Sequence, residues 1–305
     1  MSAACLTAAD VVVRPLSENE FSLFQALIYR DAGIHLAPSK KALLTGRLSR
    51  RLRELRLTSF GAYYRRLNEN SAEGAEERSR MLECILTHET RFFREQRQFE
   101  FLEQQVLPRW RAERGEKERS IRAWSAGCST GEEPYSIAMT LLHELPSPSG
   151  WTIEVLATDL SGRVLDKARK AVWPLEKARD IPQQFLKAFM LCGSATQEGR
   201  MKAGPEIRSL VRFERLNLNR VPLPVDGPFD LIFCRNVLIY FDQTSRRRAI
   251  EQLLRHLAPA GYLFLGHAES LTGLTTAVRS VAPTVYVQSE GVSLTQDRNG
   301  QRRLS

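Results

Sequence analysis

The sequence predicts an α/β fold, a parallel sheet wrapped by helices, preceded by an all-helical domain. Three patterns predict it. Residues 17–87 carry apolar side chains at helical spacing, and from about residue 120 short apolar runs alternate with amphipathic ones. A loop of small residues joins the first of those runs to the next helix. The chain has 305 residues, 43% hydrophobic and 26% charged, which suffices for one large core or two smaller ones.

Residues 1–16 read as an N-terminal extension, apolar but interrupted by Asp10 and without the basic leader of a secretory signal. Ser17, with Glu20 three residues on, forms a capping box, and Phe21, Phe24, Leu27 and Ile28 follow at helical spacing until Gly33 ends the helix. Ser39 starts a second helix with the stripe Leu43, Leu44, Leu48, Leu52 and Leu55. Two short amphipathic helices at 58–68 and 76–87 complete a helical domain over 17–87. Residues 88–119 read as a linker and connecting helix, helical over 91–114, with Phe92, Phe93, Phe99, Phe101 and Leu102 buried.

The α/β part covers 120–290. Strands are expected at 121–126, 152–159, 229–234 and 262–267, and helices at about 131–145, 161–171 and 244–257. Residues 172–216, punctuated by Pro174, Pro182, Gly193, Gly199, Gly204 and Pro205, break the rhythm and read as an inserted subdomain. Residues 291–305 form a polar tail expected to be disordered.

Four segments carry candidate chemistry. In WSAGCSTGEEPYS (Trp124–Ser136) a strand runs into small residues and then a helix, the place where doubly wound folds seat nucleotides. The loop lacks the Gly-Lys-Ser/Thr ending of a phosphate cradle, and Glu132 and Glu133 would repel a phosphate. Carboxylates there suit a cationic ligand such as S-adenosylmethionine, or they complement the helix dipole. Asp159 ends the second strand, where an acidic residue commonly bonds ribose hydroxyls; it could equally cap the next helix, a role Ser161 can also fill. CRNVLIYF (Cys234–Phe241) ends a third strand, so Arg235 and Asn236 would face the crevice. Tyr240 either borders the reacting methyl or is a core aromatic. THETRFFRE (Thr87–Glu95) sits at the junction of the two parts with His88, Thr90 and Arg94.

Together THETRFFRE, WSAGCSTGEEPYSIAMTL, ATDLSGRVLDKAR, RLNL, FDLIFCRNVLIYFDQ and YLFLGHAES, in that order over about 17–290, resemble the CheR family of chemotaxis receptor methyltransferases. The resemblance implies a class I (Rossmann-like) S-adenosylmethionine-dependent methyltransferase domain with a small antiparallel β subdomain at 172–216, behind the all-α domain. It implies cofactor contacts at His88, Thr90, Arg94, Glu132, Asp159, Asn217, Leu218, Arg235 and Asn236; position 88 is Asn in some members of the family and His here. It implies transfer of the methyl group to glutamate side chains on the cytoplasmic helical bundle of a chemoreceptor, giving methyl esters and S-adenosylhomocysteine. Arg94 and Tyr240 are the candidate catalytic residues, one to hold the carboxylate and one to wall the methyl path.

The net charge of +9 calls for an anionic partner. Between 40 and 66, nine basic residues face one acidic residue, Glu54, and Arg47, Arg50, Arg51 and Arg53 are expected to dock an acidic receptor helix. A nucleic-acid methyltransferase would share the fold and the charge. CRNVLIYF, however, lacks the Pro-Pro-aromatic element of amino-directed base methyltransferases, and the basic cluster lies on a leucine-striped helix without interleaved aromatics. A non-catalytic cofactor-binding adaptor is the other alternative. The five cysteines, Cys5, Cys84, Cys128, Cys192 and Cys234, are scattered and make no CxxC pair, so neither a metal nor a disulfide framework is expected. Reduced thiols fit a cytoplasmic protein, no run reaches the roughly 18 to 20 apolar residues of a membrane span, and a monomer is expected.

Overall fold

A computed structural model describes residues 11–115, 118–146, 150–271 and 273–289. Cys5, most of the 1–16 extension and the 291–305 tail lie outside the described residues.

Four helices build the N-terminal part: α1 (Glu18–Ala32), α2 (Lys41–Glu54), α3 (Phe60–Leu67) and α4 (Ala72–Ile85). The capping box at Ser17 and Glu20 is present in both directions, and Gly33 closes α1 in the left-handed region at φ 71°. Phe24 packs edge-on to Phe60 and stacks on Tyr63, placing α1 over α3. Leu44, Leu48 and Leu52 are fully buried on α2 and Leu55 partly so, whereas Leu43, expected in the same stripe, faces outward.

The connecting segment differs from the expected continuous helix. Residues 91–95 form turns, and Phe93 and Glu95 take left-handed backbone angles at φ 48° and 60°. Helix begins only at α5 (Gln96–Phe101), widens into a π-helical turn over Leu102–Val106, and returns to α form in α6 (Leu107–Glu113).

The α/β part holds β1 (Ser120–Ala126), α7 (Glu132–Glu144), β2 (Thr152–Asp159) and α8 (Gly162–Lys170). The insert follows: β3 (Val172–Pro174), α9 (Gln183–Phe189), β4 (Met190–Cys192), β5 (Arg200–Ala203) and α10 (Pro205–Arg208). The chain then re-enters the main sheet through β6 (Val211–Arg215), β7 (Phe229–Cys234), α11 (Gln243–His256), β8 (Leu257–Leu265), β9 (Val278–Ala282) and β10 (Val285–Gln288). The seven-stranded sheet has the order β6-β2-β1-β7-β8-β10-β9; β10 runs antiparallel to both its neighbours and the rest are parallel.

One boundary is corrected. The three-stranded antiparallel subdomain, ordered β3-β5-β4, ends with β5, and β6 belongs to the main sheet, so the insert does not reach 216. The sheet is mixed, because the antiparallel β9–β10 hairpin extends the parallel strands at one edge.

Alternate side chains of the strands enter two cores. Leu231 and Phe233 pack with Tyr135, Trp110 and the insert on one face, where Phe233 stacks on Phe264 at 4.2 Å. Ile232 and Leu263 join a core that continues into α1–α4 on the other face. Tyr29 Oη donates to Asp242 Oδ2 at 3.0 Å, and Asn217 Nδ2 donates to the Asp31 carbonyl at 2.7 Å, tying the helical part to the sheet.

Candidate functional site

A cavity opens at the carboxyl ends of β1, β2 and β7, the side on which open α/β sheets bind ligands. The linker 86–90 and the end of α1 roof it, so it lies where the helical and α/β parts meet. After β1 the backbone turns at Gly127, φ 91°, and a Cβ there would meet Val237 Cγ2 at 2.4 Å. Only glycine allows this close crossing of the two loops.

Asp159 stands at the end of β2. Its Oδ2 accepts the Ser129 N–H and its Oδ1 the Ser161 N–H, each at 2.9 Å, which joins the β1 and β2 loops. Ser161, not Asp159, caps α8 by accepting the Val164 N–H. Burial pushes the Asp159 carboxyl up from its ordinary value, and hydrogen bonds from Ser161 and Ser129 oppose that rise. Across the cavity, burial pushes the His88 imidazole down, with the Asp159 charge acting the other way. His88 Nε2 is buried without a hydrogen-bond partner, as is Asn236 Oδ1 after β7. Unpaired buried polar atoms in a cavity wall are groups waiting for a ligand.

Glu133 and Arg235 form the polar floor. Glu133 accepts from Ser125 Oγ at 2.6 Å and from Arg235 Nε at 2.7 Å. Arg235, with its side chain 1% exposed, also donates to the Arg94 carbonyl and to Gln98 Oε1 and lies over the Phe99 and Phe233 rings. Its guanidinium is therefore spent within the protein. Arg94 lines the cavity with only the Glu89 carbonyl as a side-chain partner, at 3.2 Å, and no carboxylate partner among the described residues. Thr90, Asn236 and Tyr240 share the wall, and Leu160, Leu216, Leu218 and Ile34 supply its apolar part. Tyr240 packs against the core and also borders the cavity. The amide of Asn217 is engaged with the Asp31 carbonyl and the Asn219 N–H, which leaves Leu218 as the freer contact of that pair.

Of the expected cofactor residues the cavity gathers His88, Thr90, Arg94, Asp159, Asn217, Leu218, Arg235 and Asn236. Glu132 is the correction. It is fully buried but turns the other way, bonding Thr130 Oγ1 and the Lys177 ammonium beneath a separate cleft between α8 and the β subdomain. The carboxylate that reaches the cavity is its neighbour Glu133. Both begin the same helix, and no periodic signal in the sequence separates the two directions. Ile34 and Leu160 add apolar wall; Ile34 lies in a loop with no motif of its own, and Leu160 sits inside ATDLSGRVLDKAR as an apolar residue with no chemical signature.

The basic face of α2 is likewise corrected. Arg51 is not free: it grips Glu77 with two nitrogens at 2.8 and 2.6 Å, and Tyr63 Oη donates to the same carboxylate at 2.8 Å. Arg47 binds the Ile85 carbonyl and Thr87 Oγ1. Arg50 and Arg53 remain exposed, with Arg50 near Glu54 at 3.3 Å. No helix of the described residues is long and apolar enough to cross a membrane.

A sheet of this order, with an acidic residue ending its second strand and a cavity above the carboxyl ends of β1, β2 and β7, defines a class I methyltransferase domain behind an all-α domain. Residues 88–287 match the CheR methyltransferase SAM-binding domain, and residues 19–86 match the CheR methyltransferase all-alpha domain. The chain is similar to chemotaxis protein methyltransferase 2 of Pseudomonas aeruginosa, at 40% identity over 270 residues, 88% of this chain and 93% of the relative. It is similar to the chemotaxis protein methyltransferase of Escherichia coli at 40% over 276 residues, 90% and 92%. The chain belongs to the CheR methyltransferase family, whose methyl donor is S-adenosylmethionine. The cavity fits that donor: Asp159 offers acceptor oxygens at the end of β2, unpaired His88 and Asn236 atoms await polar partners, and leucines form an apolar wall.

Proposed function

We propose that the protein methylates glutamate side chains on the cytoplasmic helical bundle of chemoreceptors, forming methyl esters for sensory adaptation. It acts as a cytoplasmic monomer, without nucleic acid. Bound S-adenosylmethionine supplies the methyl group and leaves as S-adenosylhomocysteine. Asp159 holds ribose hydroxyls, and His88, Thr90, Glu133 and Asn236 hold the polar groups of the donor, with Leu218 against the adenine.

The nucleophile needs no base, because a free glutamate has a pKa of about 4.3 and is already anionic near neutral pH. The protein's work is alignment and exclusion of water, which can contribute about 7 to 11 kcal/mol at best. Arg94, the cavity arginine without a carboxylate partner, holds the incoming carboxylate. Tyr240 walls the path of the methyl group.

One observation carries the receptor assignment. Arg47 links the basic helix α2 to Thr87, next to His88 in the cavity wall, so an acidic helix laid on Arg50 and Arg53 lies beside the cavity. The test is mass spectrometry of a receptor cytoplasmic fragment after incubation with protein and donor. Methyl increments on glutamates, absent when those residues are alanine, are expected; increments on lysine or on no residue would overturn the reading.

A further inference from the structure

Glu269 is a carboxylate that the chemistry above does not use, and it is 2% exposed. It lies in the turn after β8, outside the cavity wall. Among the described residues it has no basic partner. Its partners are backbone amides: Oε2 accepts the Gly266 N–H at 2.7 Å and the Asn236 N–H at 2.8 Å, and Oε1 accepts the Ile239 N–H at 3.2 Å. Two of these belong to Cys234–Tyr240, the segment that brings Asn236, Val237 and Tyr240 to the cavity.

That segment needs an external hold. Asn236 sits in the left-handed region at φ 59°, which Asn tolerates better than most non-glycine residues but which its surroundings still have to hold. The strand β7 has ended, so the N–H groups of Asn236 and Ile239 have no ladder partner. Gly266 supplies the room: a Cβ on it would stand 2.7 Å from Asn236 Nδ2, 2.8 Å from Asn236 N and 2.8 Å from Glu269 Oε2. Carboxylate and glycine together make a cradle into which the loop fits in one conformation.

We infer that Glu269 is a positioning residue for the donor site, acting through the backbone of Asn236 and Ile239 to hold Asn236 and Tyr240 against the cavity. A carboxylate suits this better than an amide, because both its oxygens accept. In glutamine one of them becomes an NH2 facing an N–H.

The test uses the full chain and calorimetric binding of S-adenosylhomocysteine. Glu269→Gln is expected to weaken binding at least tenfold, and Gly266→Ala, which leaves the carboxylate but crowds Asn236, is expected to do the same. Val285→Ala on β10 removes buried volume away from the cavity and serves as a control for lost stability, with thermal midpoints compared across all three. Retained affinity in Val285→Ala at an equal loss of midpoint supports positioning. Wild-type affinity in Gly266→Ala and Glu269→Gln, or an equal loss in all three variants, overturns it. Should Glu269→Gln not fold, Gly266→Ala against Val285→Ala decides alone.

Discussion

Arg235 Nε donates to Glu133 Oε2 across 2.7 Å in a buried pair that ties the end of β7 to the first turn of α7. The Glu132 carboxylate one residue earlier bonds Lys177 instead, on the far side of the same helix start. Adjacent acidic residues thus serve different cavities. Glu133→Gln is expected to weaken S-adenosylhomocysteine binding at least about tenfold by removing the nearer of Arg235's two carboxylates, the other being Glu95 at 3.8 Å, whereas Glu132→Gln changes it less than about threefold. Calorimetry on the two variants decides, and the reverse order would return the role to Glu132.

Asp159→Ala removes the acceptor assigned to ribose and the link between Ser129 and Ser161. Hydrogen bonds to a charged group contribute about 1.5–3 kcal/mol, so affinity for S-adenosylhomocysteine is expected to fall about tenfold to a hundredfold. Undiminished affinity would remove Asp159 from the site.

His88 gives a pH signature. Burial is the largest influence on it, and Arg163 and Lys167 add to the lowering while Asp159 and Glu83 oppose it. With its folded value depressed, the unfolded chain binds more protons as pH falls through the ordinary histidine range of about 6.5, so acidification costs stability in that window. The thermal midpoint is expected to drop less for His88→Asn than for the wild type between about pH 7.5 and about pH 5.5. Equal drops would mean that His88 does not titrate differently on folding.

The corrected arginines separate structure from docking. Arg51→Ala leaves Glu77, 4% exposed, without its cation and is expected to cost about 3 kcal/mol, the low end for a broken buried pair because the edge of Arg51 reaches solvent. Arg50→Ala and Arg53→Ala are each expected to stay within about 0.5 kcal/mol of wild type in urea melts. Together they raise the KM for receptor and leave donor affinity unchanged. Equal stability losses in all three variants would contradict this division.

Much of the architecture is legible because its signals are local. Ser17 with Glu20, Gly33 after α1 and the apolar runs of β1, β2 and β7 depend on neighbours within a few residues. The missed features depend on distance. Val211–Arg215 carries Arg212, Glu214 and Arg215, as an edge strand allows, and only its pairing with β2 identifies it. Arg51 looked unpaired because its partner, Glu77, lies on another helix. Phe92 and Phe93 with Phe99 and Leu102 mimic a helical stripe, and no local sequence signal announces the left-handed angles at Phe93 and Glu95. At the cavity the motifs mark the loops that line it, but local sequence does not say which way each side chain turns, as Glu132 and Glu133 demonstrate.

The most direct measurement is methyl transfer itself. The purified protein is incubated with methyl-labelled S-adenosylmethionine and receptor-containing membranes, the products are treated with alkali, and volatile methanol is counted. Carboxyl esters release methanol in base, and methylated amines and nucleobases do not. Label that is base-labile, sits on receptor bands and disappears when receptor glutamates become alanine is the predicted result. Label that resists alkali, or no transfer at all by protein that binds S-adenosylhomocysteine in the presence of intact receptor, would contradict the account.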